Sequence, residues 1–206
     1  MSDPRCHSRE GADHTYFRCR YSRPVANTAW ELGASAGDLL LTTGVTGPAA
    51  KMGHRLTIAM DWRATVRWDS ADPVSVELTA DVGSLEVLRG DGGVTGLSGP
   101  EKALARSNAL KSLDANRFPH IGFRSESVTA TDFGYRLDGT LEVHGVARER
   151  VIDLYVEETA DAWRMSCEAE VSHAEFGVKP YSMMMGAVKV ADSVTVSFTA
   201  EHAKDG

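Results

Sequence analysis

The strongest constraint on this chain is a regular alternation of apolar and polar residues along residues 55–69, where the even positions from Leu56 to Trp68 are all apolar. Successive side chains of a β-strand point to opposite faces, so this pattern predicts a long strand with one buried face. Similar alternation recurs in residues 74–82, 135–143, 163–171 and 194–201. The chain is therefore predicted to fold mainly as β-sheet.

Three further segments, residues 38–45, 119–131 and 146–157, alternate less regularly and bring the predicted strands to eight. Connections such as those at residues 69–72, 132–134 and 159–161 are short, which favours antiparallel neighbours. An open sheet of this size exposes two long edges that invite aggregation, and closure into a barrel removes them. We therefore predict an all-β fold, an eight-stranded antiparallel barrel.

One segment has the pattern of a helix. Ser98 and Glu101 form a capping-box pair with Pro100 between them, and good helix formers follow as far as Leu113. The glycine-rich residues 90–96 that precede it lack the Lys-Ser/Thr ending of a phosphate-binding loop.

Composition excludes several classes of function. The 206 residues are 42% hydrophobic and 25% charged, with a net charge of -7, as expected of a folded domain and not of a disordered chain. The acidic balance argues against nucleic acid as a partner. No stretch approaches the roughly 20 apolar residues that span a bilayer.

The first residues are arginine-rich and contain no apolar run of the kind found in signal peptides, which predicts a cytoplasmic location. We expect residues 1–30 to form a poorly ordered leader and residues 31–203 to form the barrel domain. The cysteines Cys6, Cys19 and Cys167 do not predict a disulfide framework. Together with His7 and His14, the first two could supply zinc ligands, but the spacing fits no common pattern, so no metal and no cofactor are predicted.

The predicted inward face combines Trp62, Trp68 and Trp163 with small residues such as Ala64 and Ala169. An eight-stranded barrel either fills its interior or holds one small ligand, and small inward residues leave room. The pattern favours a long apolar cavity that is open at one end and suits a chain-like apolar ligand.

Several motifs occur in order along about 160 residues. They are LDANRFPHIGFRS at 113–125, GTLEVHGV at 139–146 followed by Arg148, TGPAAKMGHRL at 46–56, SLEV and GDGG within 84–93, and FGVKPYSMMMGAVKVADSVTV at 176–196. The chain thereby resembles the YceI-like, polyisoprenoid-binding family of lipocalin-like proteins, in its actinobacterial-type branch. The resemblance implies a lipocalin-like barrel with one helix at one end and an elongated tunnel for an isoprenoid or similar lipid tail.

The pattern and the resemblance together give a set of candidate ligand-binding residues in the barrel interior and at its mouth. They are His54, Ile58, Met60, Trp62, Leu78, Phe123, Leu141, His144, Arg148, Trp163, Met165, Tyr181, Met184 and Phe198.

The polar members of this set have alternative interpretations. His54 and His144 are either turn residues or contacts to a ligand head group. Arg148 and Arg150 share a face with Ile152, where an unpaired charge would be costly, so each must meet a partner, a ligand or solvent. A β-bulge at Glu149 would instead make Arg150 a surface residue.

The methionines at 183–185 follow Lys179 and Tyr181 in a predicted loop. They either gate the cavity, since methionine is adaptable, or pack the loop on the end of the barrel.

Three functions stay open. The first is a carrier of a polyisoprenoid, an isoprenoid quinone or a fatty-acyl molecule, as a monomer or a homodimer. The second is an enzyme acting on a lipid head group at the barrel mouth, although no catalytic motif is present. The third is a filled barrel with a stress or interaction role.

Overall fold

The computed structural model describes residues 29–204. It contains twelve strands and one α-helix among these residues. The elements are β1 (Ala29–Gly33), β2 (Leu39–Thr46), β3 (His54–Ala59), β4 (Trp62–Asp69), β5 (Asp72–Asp81), β6 (Glu86–Gly92), α1 (Gly99–Ser112), β7 (His120–Thr131), β8 (Gly134–Val143), β9 (Val146–Glu158), β10 (Ala162–Ser172), β11 (Ser182–Met183) and β12 (Val188–Ala203).

All strands belong to one curled antiparallel sheet in the order β1-β4-β5-β7-β8-β9-β10-β12-β2-β3-β6, with β11 paired to β12. The all-β fold, the single helix and the barrel class agree with the prediction. The predicted number of eight strands is wrong. Alternation along residues 55–69 hides a break at Met60 and Asp61, where β3 ends and β4 begins. A second interruption, at Val82–Ser84, separates β5 from β6.

These breaks allow consecutive strands to pair with different neighbours in the sheet. β3 pairs with β2 and β6, whereas β4 pairs with β1 and β5. β1 is likewise followed by β2, which pairs with β12 on the far side of the sheet order. Because consecutive strands thus lie at opposite ends of the sheet order, the short connections between them bring the two ends of the curled sheet together.

The helix α1 begins as predicted. Glu101 Oε2 accepts hydrogen bonds from the Ser98 hydroxyl at 2.5 Å and from the Ser98 N–H at 2.7 Å in a capping box. The hydrogen bond from the hydroxyl, followed by that from the N–H, lowers the pKa of the Glu101 carboxyl. Arg106 Nε donates to the Leu85 carbonyl oxygen at 2.7 Å, which ties the helix to the start of β6.

The wall of the barrel is not paired evenly. β8 and β9 pair without a register shift along their shared length, from the pair formed by Gly134 and Tyr155 to the pair formed by Val143 and Val146. On its other side β9 pairs with β10 only through Tyr155–Glu158, opposite Trp163–Ser166. Residues 146–154 of β9 thus have no ladder partner in β10, and a short 3-10 helix, Ala174–Phe176, lies beside β9 in that region.

Three expectations need comment. The alternation in residues 74–82 predicts that Val74 shares the inward face with Val76, but a register shift between Arg67 and Trp68 turns Pro73 inward and leaves Val74 43% exposed. The proposed leader and its zinc ligands lie outside the described residues, except that Ala29 and Trp30 belong to β1. No helix within residues 29–204 is long and apolar enough to span a membrane.

Candidate functional site

The interior of the barrel, here called the lumen, contains an elongated cavity of about 760 Å³. Its wall is almost entirely apolar. The cavity runs from His54 and Met183, at the barrel mouth, to Trp30, Trp68 and Trp163 near the opposite end. Its volume is typical of small-molecule sites, which span about 300–1,000 Å³.

Small side chains on the inward face explain the open space. Ala64, Ala80 and Ala169 line the cavity, and a barrel of this size would fill with bulkier side chains at these positions. The lumen is therefore not filled, contrary to the third hypothesis from the sequence.

The structure places ten of the fourteen candidate residues along the cavity wall. They are His54, Ile58, Met60, Leu78, Phe123, Leu141, Trp163, Met165, Tyr181 and Phe198. Trp62, His144, Arg148 and Met184 are not part of this wall. The binding role of the ten stays a prediction.

Trp62 is buried for a structural reason. Its indole Nε1–H donates to the Gly37 carbonyl oxygen at 3.1 Å, and its ring meets Phe198 edge-on with centroids 4.8 Å apart. The Trp62 side chain, which extends from β4, thus holds the connection between β1 and β2 in place. It does not line the cavity.

His144 forms the hairpin between β8 and β9. His144 and Gly145 both have positive φ, 54° and 72°, as the two central residues of a tight hairpin turn require. The imidazole packs against the ring of Phe118, with centroids 4.7 Å apart. The geometry therefore supports the turn interpretation of His144, and the side chain does not line the cavity.

The two arginines of β9 differ from expectation. Because the β8–β9 register has no bulge, Arg150 faces inward and lines the cavity, so its interpretation as a surface residue is wrong. Arg148 lies on the same face but closer to the strand's end, where it is exposed and donates to the carbonyl oxygen of Ala147. Arg148 therefore reaches solvent and not the lumen.

Arg150 is held by the 174–176 turn. Its Nη2 donates to the Glu175 carboxylate, and its guanidinium carbon lies 5.8 Å from the centroid of the Phe176 ring. Phe176 itself is fully buried. The Nε atom of Arg150 is buried and has no hydrogen-bond partner among the described residues.

The turn that carries Glu175 is fixed from behind by Asp192. The Asp192 carboxylate accepts hydrogen bonds from Ser172 Oγ and, at 2.8 Å, from the Ala174 N–H. The hydrogen bond from Ser172, followed by that from Ala174, lowers the pKa of the Asp192 carboxyl. Ser172, the last residue of β10, and His173 also line the cavity, although the alternation in the sequence ends at residue 171 and so did not predict them.

Exposed apolar side chains surround the mouth. At the mouth, the His54 side chain on β3 contacts the loop between β6 and α1, with its Nε2 atom 2.7 Å from the Thr95 carbonyl oxygen. Met183 lines the cavity and is 43% exposed, whereas Met184 and Met185 are exposed with positive φ values of 51° and 56°. These two methionines do not pack the loop onto the barrel, so that interpretation is wrong for them.

Cys167 lies on the inward face of β10 and lines the cavity. Burial of the thiol raises its pKa to about 11. A thiol with this pKa stays protonated at neutral pH and is a poor nucleophile, so it acts as an apolar part of the wall.

Comparison with known proteins agrees with this architecture. A family model for the YceI-like domain matches residues 35–202. A crystal structure of Burkholderia cenocepacia BcnA is similar at a TM-score of 0.58 and 18% identity, covering 81% of this chain and 96% of that chain. A crystal structure of a Campylobacter jejuni YceI protein has 12% identity and a TM-score of 0.48, over 92% of each chain. No curated protein matches the sequence.

Proposed function

Because the chain belongs to the YceI-like family, we propose that it binds and carries an elongated apolar molecule in its lumen. The observation that carries this proposal is the cavity of about 760 Å³ with an apolar wall that runs most of the length of the barrel. The resemblance in the sequence motifs supports a polyisoprenoid, an isoprenoid quinone or a fatty-acyl molecule as the ligand class. The actinobacterial-type branch and the lipocalin-like relationship stay predictions from those motifs.

The size of the cavity bounds the ligand. At roughly 30 Å³ for each non-hydrogen atom, the share of one molecule in liquid water, the cavity has room for about 25 such atoms. Each buried methylene contributes about 0.8 kcal/mol, or roughly a fourfold change in affinity. Affinity is thus expected to rise with chain length until the cavity is full and then to level off.

Native mass spectrometry after gentle purification tests the proposal. We expect a copurifying apolar molecule, or, for delipidated protein, uptake of straight-chain and isoprenoid alcohols with the stated dependence on chain length. A protein that carries no added mass and takes up none of these alcohols would contradict the proposal.

An enzyme acting on a lipid head group is the less supported alternative. His54 lines the cavity but His144 packs against Phe118 outside it, so the two histidines do not share a site. Incubation of the loaded protein with candidate lipids, with a His54→Ala variant as control, would reveal turnover. Turnover that is lost in this variant would favour the enzyme.

We also propose a cytoplasmic location and leave the choice between monomer and homodimer to measurement. Cell fractionation checks the first, and light scattering coupled to size-exclusion chromatography checks the second. Nucleic acid is not a proposed partner, and the chain's net charge of -7 supports this choice.

A further inference from the structure

We propose that the ligand of this chain carries an oxyanion head, a carboxylate or a phosphate, and that Arg150 binds it inside the lumen. The inference rests on the proposed carrier function and adds the chemical class of the ligand head. It starts from the position of Arg150, which is the one arginine on the cavity wall within the described residues.

The placement of Arg150 is fixed by the sheet. Its register partner on β8 is Gly139, and no bulge separates it from Ile152 and Leu154, which also line the cavity. The strand therefore aims the guanidinium into a wall that is mostly apolar, although Glu101 and Lys189 also line it. Such a charge is costly to bury unless partners satisfy its donors.

The present partners satisfy Arg150 only in part. Glu175 engages Nη2, and Nη1 donates to the Glu149 carbonyl oxygen at 3.3 Å, whereas the buried Nε has no partner among the described residues. A guanidinium binds carboxylates and phosphates best through two parallel N–H groups. Arg150 thus retains a donor that no described residue satisfies, and because Nε is buried in this arrangement, an oxyanion reaches it only once the neighbouring side chains move.

Glu175 is suited to give way to such a head group. Its side chain is 44% exposed, compared with 24% for that of Arg150, so the carboxylate can turn to solvent when an anionic ligand arrives. The neighbouring segment is the short turn Ala174–Phe176 and not a paired strand, because residues 146–154 of β9 have no ladder partner in β10, so a shift of Glu175 breaks no ladder hydrogen bond. The head then lies beside Arg150 and the apolar chain extends over Ile152, Leu154 and Val156 toward Trp163.

Three probes with one hydrocarbon chain separate the head from the tail: geranylgeraniol, geranylgeranoic acid and geranylgeranyl monophosphate, measured at pH 8 with the full chain. A charged hydrogen bond lost from a buried site is expected to change affinity about tenfold or more. Wild-type protein should therefore bind at least one anion about tenfold more tightly than the alcohol, and the preferred anion identifies the head as carboxylate or phosphate.

Variants assign the preference to Arg150. Arg150→Met should bring the affinities for the two anions close to the affinity that the same variant has for the alcohol. Glu175→Gln should strengthen the preference for anions several-fold by removing the competing carboxylate. Arg148→Met is the matched control, because Arg148 is exposed two residues away and does not line the cavity. Its anion preference should equal that of the wild type.

The outcomes separate this inference from the carrier proposal. Equal binding of the alcohol and both anions by the wild type, or a preference that survives Arg150→Met, would overturn the role of Arg150 and leave the carrier function standing. Failure of all three probes to bind would overturn both. If Arg150→Met fails to fold, Glu175→Gln decides, since an unchanged or weakened anion preference in that variant contradicts the inference.

Discussion

The rings of Trp30 and His202 stack with centroids 4.1 Å apart, joining the first strand of the sheet order to the C-terminal end of β12. The sequence positions are far apart, so the contact helps to hold the curled sheet closed. We expect Trp30→Ala to lower the free energy of unfolding by about 2–3 kcal/mol, somewhat below the cost for a fully buried tryptophan.

A double-mutant cycle with His202→Ala measures the ring contact itself. The coupling energy should be about 1 kcal/mol in denaturant unfolding experiments. The control pair is Trp30→Ala with Phe118→Ala, whose ring packs against His144 at the β8–β9 hairpin, and the effects of these two substitutions should add. Additivity of Trp30 with His202 would show that the stacking contributes nothing.

Filling the lumen should shorten the accepted ligand. Ala169 lines the cavity, so Ala169→Phe should abolish binding of the longest alcohols, retain the short ones and cost about 1–3 kcal/mol of stability through crowding. Displacement of N-phenyl-1-naphthylamine by alcohols of increasing length measures this. Ala147→Phe on the exposed face of β9 is the matched control. An equal effect of both variants would argue against a ligand at Ala169.

The β8–β9 hairpin should tolerate only glycine at position 145. Its φ is +72°, and a Cβ atom there would lie 2.4 Å from Cε1 of Phe118, so Gly145→Ala should destabilise the protein by about 1–2 kcal/mol. Gly122→Ala, where a Cβ atom would meet nothing within 4 Å, should change stability by less than about 0.5 kcal/mol. Similar losses in thermal or denaturant unfolding for the two variants would contradict this account of the turn.

The buried thiol of Cys167 predicts a loss of stability at high pH. Its pKa rises from 9.0 in the unfolded reference to about 11 in the fold, so the protonated thiol stabilises the fold fully below about pH 9. This contribution disappears as the pH rises through 11. The difference in unfolding free energy between wild type and Cys167→Ala should therefore shrink by about 2 kcal/mol between pH 8.5 and 11. A constant difference over this interval would show that the thiol is not buried.

The sequence predicted the class of fold because alternation directly reports which side chains share a face. It could not predict the breaks at Met60 and Asp61, since the apolar face continues through them while the pairing partners change. Strand number thus depends on partners that lie far away in sequence.

The residues of the candidate site likewise fall into those that the sequence pattern could predict and those that it could not. Ile58, Met165 and Phe198 were found because they sit in regular strands, whereas His173 and Phe176 lie in an irregular turn without a periodic signal. Arg150 was ambiguous because a single bulge would reverse its face, and a bulge leaves no sequence mark unless a glycine marks it. Its direction is fixed by the β8–β9 register.

The uneven pairing of β9 with β10 has a consequence for the kinetics of ligand exchange. Since residues 146–154 lack ladder partners in β10, the wall can part there without breaking ladder hydrogen bonds between these two strands, provided that the turn carrying Glu175 and Phe176 moves away from β9. A long molecule can then peel out sideways in segments and need not slide lengthwise past the whole lining. For the proposed ligand, residence time should accordingly grow more slowly with chain length than affinity does.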